Sequence, residues 1–260
     1  MSGEALLSLS GVGKNFGALA AVSNVSFDLF EGRIYALIGP NGAGKTTLLN
    51  IVSGYAGRNS GRIMLRNRAI NGWPASRRVL HGMARTFQIT QLFGRMTALE
   101  NVMCGFHQHV AQSAWSALLH LPSFLAEEKT LRTRARALLD MVEIGDHADV
   151  PAGLLPFGLQ RRLEIARALA TGPSLLLLDE PCAGLSGPEA GALGRLLKSL
   201  SARGMCVLVI EHNMAFVLET AQQVIVLDAG EVIAAGTPDE IRSNARVIEA
   251  YLGEVQHATG

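Results

Sequence analysis

Short apolar segments separated by turns dominate the first part of the chain. They are brief and rich in branched residues, as is typical of β-strands. The predicted strands lie at residues 6–9, 25–29, 34–38 and 61–65. The predicted fold class includes an antiparallel β subdomain at the N-terminal side, and the strand at 34–38 leads into the core.

The middle of the chain, from about 97 to 170, follows helical periodicity instead. The clearest apolar stripe, ended by Pro122, comprises Ala111, Ala114, Trp115, Leu118 and Leu119. A second helix of mixed charge is predicted at 127–141, and a loop follows at Pro151 and Gly153. Residues of about 90–165 are therefore predicted to form a helical subdomain inserted into the chain.

Strands return in the last third of the sequence. Residues 175–178 and 206–210 are uninterrupted apolar runs, which suit parallel strands buried on both faces. Residues 224–233 read as a hairpin, and about 237–260 as a C-terminal helical tail. The whole pattern predicts one α/β domain over 1–260.

A glycine-rich loop directly follows the strand at 34–38. Residues 39–47 match G-x-x-x-x-G-K-[ST], and an apolar helix comes after them, which is the setting of a phosphate-binding loop. Backbone N–H groups and the positive helix end would hold phosphate, Lys45 would reach the terminal phosphates, and the Thr46 hydroxyl would ligand Mg²⁺. The predicted binding residues are Gly39, Pro40, Asn41, Gly42, Ala43, Gly44, Lys45, Thr46 and Thr47. The fold class is therefore a P-loop NTPase core, and a glycine turn without function is the simpler alternative.

Two acidic residues end the apolar run at 175–178. Taken alone, Asp179 and Glu180 could be a solvated turn after a core strand. After a phosphate loop, a carboxylate at the end of a buried strand is where a further Mg²⁺ contact is needed. We expect Asp179 to make it and Glu180 to act as general base toward the attacking water.

Composition excludes several other classes of function. The net charge of +1 gives no electrostatic case for nucleic acid binding. The N-terminus lacks a basic segment followed by an apolar stretch, so no signal peptide is predicted. No apolar run approaches the ~18 residues that span a bilayer. The 3 cysteines fit neither a disulfide framework nor a zinc site and suggest a reducing compartment. His107 and His109 lack further residues spaced to complete a metal site.

The segment at 155–162, Leu-Pro-Phe-Gly-Leu-Gln-Arg-Arg, precedes an apolar helix. Together with the phosphate loop, the helical insertion and the acid-tipped strand, it resembles the ATP-binding domain of ABC proteins over nearly the whole chain. In that family a signature, usually L-S-G-G-Q, caps the ATP held on the opposite subunit. The resemblance implies that Phe157 and Gly158 contact that nucleotide through backbone donors, whereas Pro156 replaces the usual Ser and Leu159 the usual Gln. Pro156 suits a tight turn before the helix.

Four smaller matches support this resemblance. Gln88 resembles the Q-loop glutamine that senses Mg²⁺ and water. His212 resembles the switch histidine that contacts the γ-phosphate and the attacking water. Phe16 matches the aromatic that stacks on adenine. Residues 183–186 resemble the D-loop, with Ser186 where Asp is usual. Each would more often be a surface or core residue if it stood alone, but their order relative to the phosphate loop supports these roles.

Several stretches are closer to one subgroup of the family. They are A-R-T-F-Q at 84–88, the signature helix, I-E-H-N-M at 210–214 and the ending G-T-P-D-E-I. They look like the ATP-binding subunits of bacterial uptake systems for branched-chain amino acids, urea and short amides. The resemblance implies ATP and Mg²⁺ as ligands, a second ATP-binding subunit, identical or paralogous, and membrane permeases with a separate solute-binding protein. It also implies a place on the cytoplasmic face of the cell membrane.

The sequence also leaves other classes of ABC protein open. The chain also resembles the ATPase of lipopolysaccharide-export systems, although its longer insertion speaks against that reading. A soluble ABC ATPase acting on ribosomes or DNA repair intermediates would usually carry two ATPase domains or a coiled coil. The stripe at Trp115 and Leu118 fits packing within the helical subdomain or contact with a membrane subunit. The transported solute is not encoded in this chain.

Overall fold

The computed structural model describes residues 4–57, 59–87, 91–106 and 122–257, without the side chains of 122–127 and 252–257. The chain forms two compact units. One comprises Met1–Arg85 and Ser174–Gly260, and the other is Thr86–Pro173. The second unit encloses the helical insertion predicted at about 90–165.

The elements alternate in the order expected for an α/β protein. The strands are β1 Leu7–Phe16, β2 Leu19–Leu29, β3 Ile34–Ile38, β4 Ser60–Leu65, β5 Arg68–Ala69, β6 Met83–Arg85, β7 Leu175–Asp179, β8 Cys206–Ile210, β9 Gln223–Asp228 and β10 Glu231–Gly236. The helices are α1 Lys45–Ser53, α2 Ala75–Leu80, α3 Ala98–Gly105, α4 Pro122–Met141, α5 Phe157–Leu169, α6 Gly187–Ala202, α7 Met214–Thr220, α8 Pro238–Arg242 and α9 Ala245–His257. Short 3₁₀ turns lie at Gly145–His147 and Ala152–Leu154.

A mixed six-stranded sheet forms the centre of the first unit. Its order is β10-β9-β3-β8-β7-β6, and every pair except β9–β10 is parallel. All residues of β3, β7 and β8 are buried, which for β7 and β8 confirms the prediction from their apolar runs. Since neighbouring parallel strands end at the same edge, the segments after these three strands meet there.

The hairpin predicted at 224–233 is confirmed. Strands β9 and β10 are joined by Ala229 and Gly230, which both have positive φ (45° and 83°). Positive φ at both turn positions gives the twist that suits a tight antiparallel connection.

An antiparallel sheet of order β2-β1-β4-β5 completes the first unit. It shares one hydrophobic core with α1 and the central sheet, including Leu9, Val25, Leu49 and Ile63. The sequence predicted strands at 6–9 and 25–29, and both predicted strands were shorter than β1 and β2. The register of β1 against β2 shifts at several points after Leu9, so the side-chain alternation that marks a strand is interrupted there.

Arg78 is a buried arginine, only 2% exposed, and its guanidinium binds the C-terminal end of helix α1. Its Nη1 donates to Ile51 O (2.7 Å) and to Val52 O, and its Nη2 donates to Ile70 O (3.1 Å). Burial lowers its pKa to about 10. The guanidinium satisfies carbonyls that a helix end leaves without an intrahelical donor.

The second unit is helical in its described part. Helix α3 begins at a reciprocal capping box, in which Glu100 N donates to Thr97 Oγ1 and Thr97 N donates to Glu100 Oε2. It packs against α4 and α5. The mixed-charge helix predicted at 127–141 is confirmed as part of α4. The stripe at 111–119 lies outside the described residues, and Pro122 is the first residue of α4.

Candidate active site

The phosphate loop lies between β3 and α1, as predicted. Gly39 has a φ of 151°, and a Cβ there would lie 1.9 Å from Leu227 O. At Gly44, with a φ of 97°, a Cβ would lie 2.3 Å from Ala21 O. Both positions therefore require glycine, and the loop's path depends on them.

The open side of this loop suits an anion. Gly42 has a φ of 78°, and a Cβ there would meet no atom within 4 Å. Helix α1 begins with Gly44 at its N-cap and carries no acidic residue in its first turn. The first N–H groups of a helix have no intrahelical acceptor, and the helix dipole favours negative charge at that end.

Lys45 lies over its own loop. Its Nζ donates to Gly39 O (2.7 Å) and Pro40 O (2.8 Å). Thr46, the next residue of α1, is exposed. The two side chains predicted to meet phosphate and Mg²⁺ thus follow each other at the start of the helix.

Asp179 ends strand β7 and is paired with a residue that the sequence did not single out. Its Oδ2 accepts from Arg85 Nη2 at 2.9 Å, and both side chains are almost fully buried. Arg85 Nη1 also donates to Asn50 Oδ1 (2.6 Å) and Ser53 Oγ (2.8 Å) on α1. Arg85 therefore links the predicted Mg²⁺ carboxylate to the helix that follows the phosphate loop.

Glu180 has an unusual backbone for a residue with a side chain. Its φ is 47°, and its N–H donates to Ile210 O at 3.0 Å, which extends the β7–β8 pairing by one residue. Non-glycine residues with positive φ are uncommon and concentrate at functional sites. The Glu180 side chain is 26% exposed, and its Oε1 lies 4.0 Å from Nδ1 of His212. The structure thus brings together the two residues predicted to orient water.

Phe16 ends strand β1 and is 55% exposed. The Lys14 ammonium lies 5.4 Å from the centre of its ring. The sequence alone would place a single aromatic of this kind in the core. Its exposure leaves the ring accessible to a stacking base.

The signature residues lie in the second unit. Pro156 directly precedes α5, which begins at Phe157, and this fits the turn expected from the proline. Phe157 is exposed at 42%, whereas Gly158 is buried. The Arg161 guanidinium lies 5.0 Å from the Phe157 ring centre.

The D-loop residue Ser186 precedes helix α6. Its N–H (2.8 Å) and its hydroxyl (2.6 Å) both donate to Glu189 Oε2. Gln88 lies outside the described residues, as do His107 and His109. The roles assigned to Gln88 therefore stay predictions.

The donor set fits Mg²⁺ held mainly by nucleotide and water. The described residues contain no group of three or more His, Cys, Asp or Glu side chains that could form a metal cage. Thr46 and Asp179 offer one hydroxyl and one carboxylate, which are hard oxygen donors. Mg²⁺ is commonly bound through one or two protein ligands and the phosphates of a substrate. In the part of the chain with assigned positions, no helix is long and apolar enough to cross a membrane.

Comparison with known families gives two matches. Residues 22–183 match the model of the ABC transporter family. Residues 231–257, which include β10 and the C-terminal helices, match the model of the branched-chain amino acid ATP-binding cassette transporter. The second match lies outside the nucleotide loops and bears on the subgroup.

Individual proteins show the same likeness. The chain is 42% identical over 252 residues to the high-affinity branched-chain amino acid transport ATP-binding protein LivG of Salmonella typhimurium, covering 96% of this chain and 99% of LivG. It is similar to the crystal structure of the ADP conformation of MJ1267, an ATP-binding cassette of an ABC transporter. That match has a TM-score of 0.84 and 30% identity, and covers 96% of this chain and 100% of MJ1267. The dimeric structure of MJ0796, a bacterial ABC transporter cassette, matches with a TM-score of 0.73 and 27% identity, covering 89% and 98%.

Proposed function

The chain belongs to the ABC transporter ATPases, in their branched-chain amino acid subgroup, and on this premise we propose that it powers uptake of branched-chain or related hydrophobic amino acids through partner permeases. The observation that carries its ATPase chemistry is the meeting of three segments at one edge of the central sheet. They are the phosphate loop after β3, Asp179–Glu180 at the end of β7, and His212 after β8.

Nucleotide binding is assigned to the phosphate loop and Phe16. Backbone donors of Gly42 to Thr47 and the Lys45 ammonium stabilise the charge on the β- and γ-phosphates. The exposed Phe16 ring stacks on the base. The loop's required glycines support this role, because a Cβ at Gly39 or Gly44 would collide with Leu227 O or Ala21 O, so the path of the loop depends on glycine at both positions.

Mg²⁺ is assigned to Thr46 and Asp179, with Gln88 as a further contact. When bound, it neutralises charge on the transferring phosphoryl group. Arg85 holds one oxygen of Asp179 and so fixes the direction of the carboxylate. This pairing supports a precise placement of Asp179 at the end of its strand.

Hydrolysis is assigned to Glu180 and His212. Glu180 accepts a proton from the attacking water, and His212 orients that water and contacts the γ-phosphate. The separation of 4.0 Å between their side chains supports joint action on one small molecule. The positive φ of Glu180 supports a carboxylate presented beyond the end of the strand.

A second cassette is assigned to complete each site. Phe157 and Gly158, at the N-terminus of α5, would face the nucleotide held by the phosphate loop of the other subunit, which is identical or paralogous. The exposed Phe157 and the dimeric assembly of the similar cassette MJ0796 support this arrangement. The chain would act at the cytoplasmic face of the cell membrane, beneath two permeases that receive solute from a binding protein.

Purification from the native host tests this assignment. The chain should co-purify with polytopic permeases whose genes neighbour its own beside a gene for a solute-binding protein. Leucine with the binding protein should raise the rate of ATP hydrolysis of the complex. Recovery with lipopolysaccharide-export subunits, ribosomes or DNA instead would overturn it. The match of residues 231–257 to the branched-chain model favours the first outcome.

A further inference from the structure

Glu211 is a buried carboxylate that the roles above do not use. It follows β8, and only 1% of it is exposed. Its Oε1 accepts from Cys182 N at 2.7 Å, and its Oε2 accepts from His212 N (3.2 Å) and Asn213 N (3.4 Å). A single side chain thus receives three backbone donors from two separate segments.

Those two segments carry the residues assigned to water activation. Cys182 lies two residues after Glu180, and the turn between them is closed by Ala183 N donating to Glu180 O at 3.1 Å. On the other side, Glu211 directly precedes His212. Asp179 pairs with Ile210 in the β7–β8 register, so Glu180 and Glu211 emerge from neighbouring strands at the same level.

Three backbone N–H donors explain how the Glu211 carboxylate is accommodated in the interior. A carboxylate is costly to bury unless hydrogen bonds compensate it, and bonds to an ionised acceptor are stronger than neutral ones. Burial raises the pKa of the Cys182 thiol, and the Glu211 carboxylate raises it further. The thiol therefore stays protonated beside this carboxylate.

We propose that Glu211 is a positioning residue for ATP hydrolysis. It holds the segment after Glu180 against the backbone of His212, and so sets the 4.0 Å separation between their side chains. It acts through these two residues and does not touch nucleotide. The inference rests on the proposed roles of Glu180 and His212.

The test compares Glu211→Gln with wild type in the full-length chain. The amide keeps one acceptor but turns a donor toward backbone N–H groups, so kcat for ATP should fall at least about tenfold while KM changes less than about twofold. Glu240→Gln is the matched control, because Glu240 also accepts a backbone N–H, from Thr237 at 2.7 Å, far along the chain at the start of α8. Its kcat should equal that of wild type. Equal kcat for Glu211→Gln and wild type would overturn the proposal.

A double-mutant comparison tests whether Glu211 acts through His212. In a His212→Ala background, Glu211→Gln should lower kcat by a clearly smaller factor than in wild type, because one of the two residues through which Glu211 acts is already absent. A full additive loss would show that Glu211 acts elsewhere. Circular dichroism checks that each variant is folded, and if Gln fails this check, Glu211→Asp takes its place with the same criteria. If Glu180→Gln and His212→Ala themselves keep the wild-type rate, the proposed roles fail and not only this inference.

Discussion

Arg85 donates to Asp179 at 2.9 Å, and the two side chains are 6% and 7% exposed. The same guanidinium reaches Asn50 and Ser53 on helix α1. One arginine on a three-residue strand therefore ties the end of β7 to the helix after the phosphate loop. A buried pair of this kind is costly to break from one side, because the remaining charge is left without compensation.

Replacement of Arg85 by Met should both destabilise the fold and weaken Mg²⁺-dependent nucleotide binding. We expect the free energy of unfolding to fall by about 3 kcal/mol, measured by urea denaturation. Arg66→Met is the matched control, because Arg66 pairs with Glu31 at a similar 2.8 Å but on the surface. That change should cost less than about 1 kcal/mol. Equal losses for the two variants would contradict a special role for the Arg85 pair.

Lys45→Ala should weaken nucleotide binding itself. The ammonium contributes positive charge at the phosphates, and its bonds to Gly39 O and Pro40 O hold the loop. We expect Kd for a fluorescent ATP analogue to rise at least about tenfold. Lys198→Ala, on the same chain in helix α6, should leave Kd as in wild type. Unchanged affinity in Lys45→Ala would argue against the assigned function of the loop.

Phe16→Ala should lower the affinity for ATP by about 1 kcal/mol, which is the scale of stacking between a base and an aromatic ring. Leu19 is also exposed, at 68%, at the start of the next strand and serves as the control. Isothermal titration of both Ala variants distinguishes them. Should the two variants bind ATP alike, Phe16 would be a surface residue without contact to the base.

The three cysteines should differ sharply in reactivity. Cys104 is exposed, whereas Cys182 and Cys206 are buried. Burial raises the pKa of Cys206 to about 12, so at pH 8 it remains almost wholly protonated and unreactive toward a disulfide reagent. The native protein should show one fast thiol, which Cys104→Ser removes, and the denatured protein all three. Rapid labelling of two or more thiols in the folded chain would contradict the burial seen here.

The local sequence pattern was sufficient to predict the phosphate loop and the buried strands. The fixed spacing at 39–47 has few other physical uses, and uninterrupted runs such as Leu175–Leu178 suit strands covered on both faces. The strand at Met83–Arg85 was missed because three residues carry no readable period. The bounds of β1 were missed because its register shifts break the alternation.

The positioning contacts could not be read from local pattern. Arg85 and Asp179 are 94 residues apart in the chain, and Cys182 and Glu211 are 29 apart. They meet only because β7 lies between β6 and β8 in the sheet, an order that no local segment encodes. Charged residues are mostly exposed in folded proteins, so the burial of these charged side chains could not be predicted from the sequence.

The most direct test is ATP-driven uptake by the assembled transporter. The chain is reconstituted in proteoliposomes with the permeases encoded beside it and their binding protein, and labelled leucine uptake is followed with ATP inside. Wild type should accumulate leucine and release phosphate, whereas Glu180→Gln should bind ATP with wild-type affinity and lose at least about 100-fold in both rates. Phosphate release and uptake at the wild-type rate in Glu180→Gln, or no ATP-dependent uptake by wild type, would contradict the account.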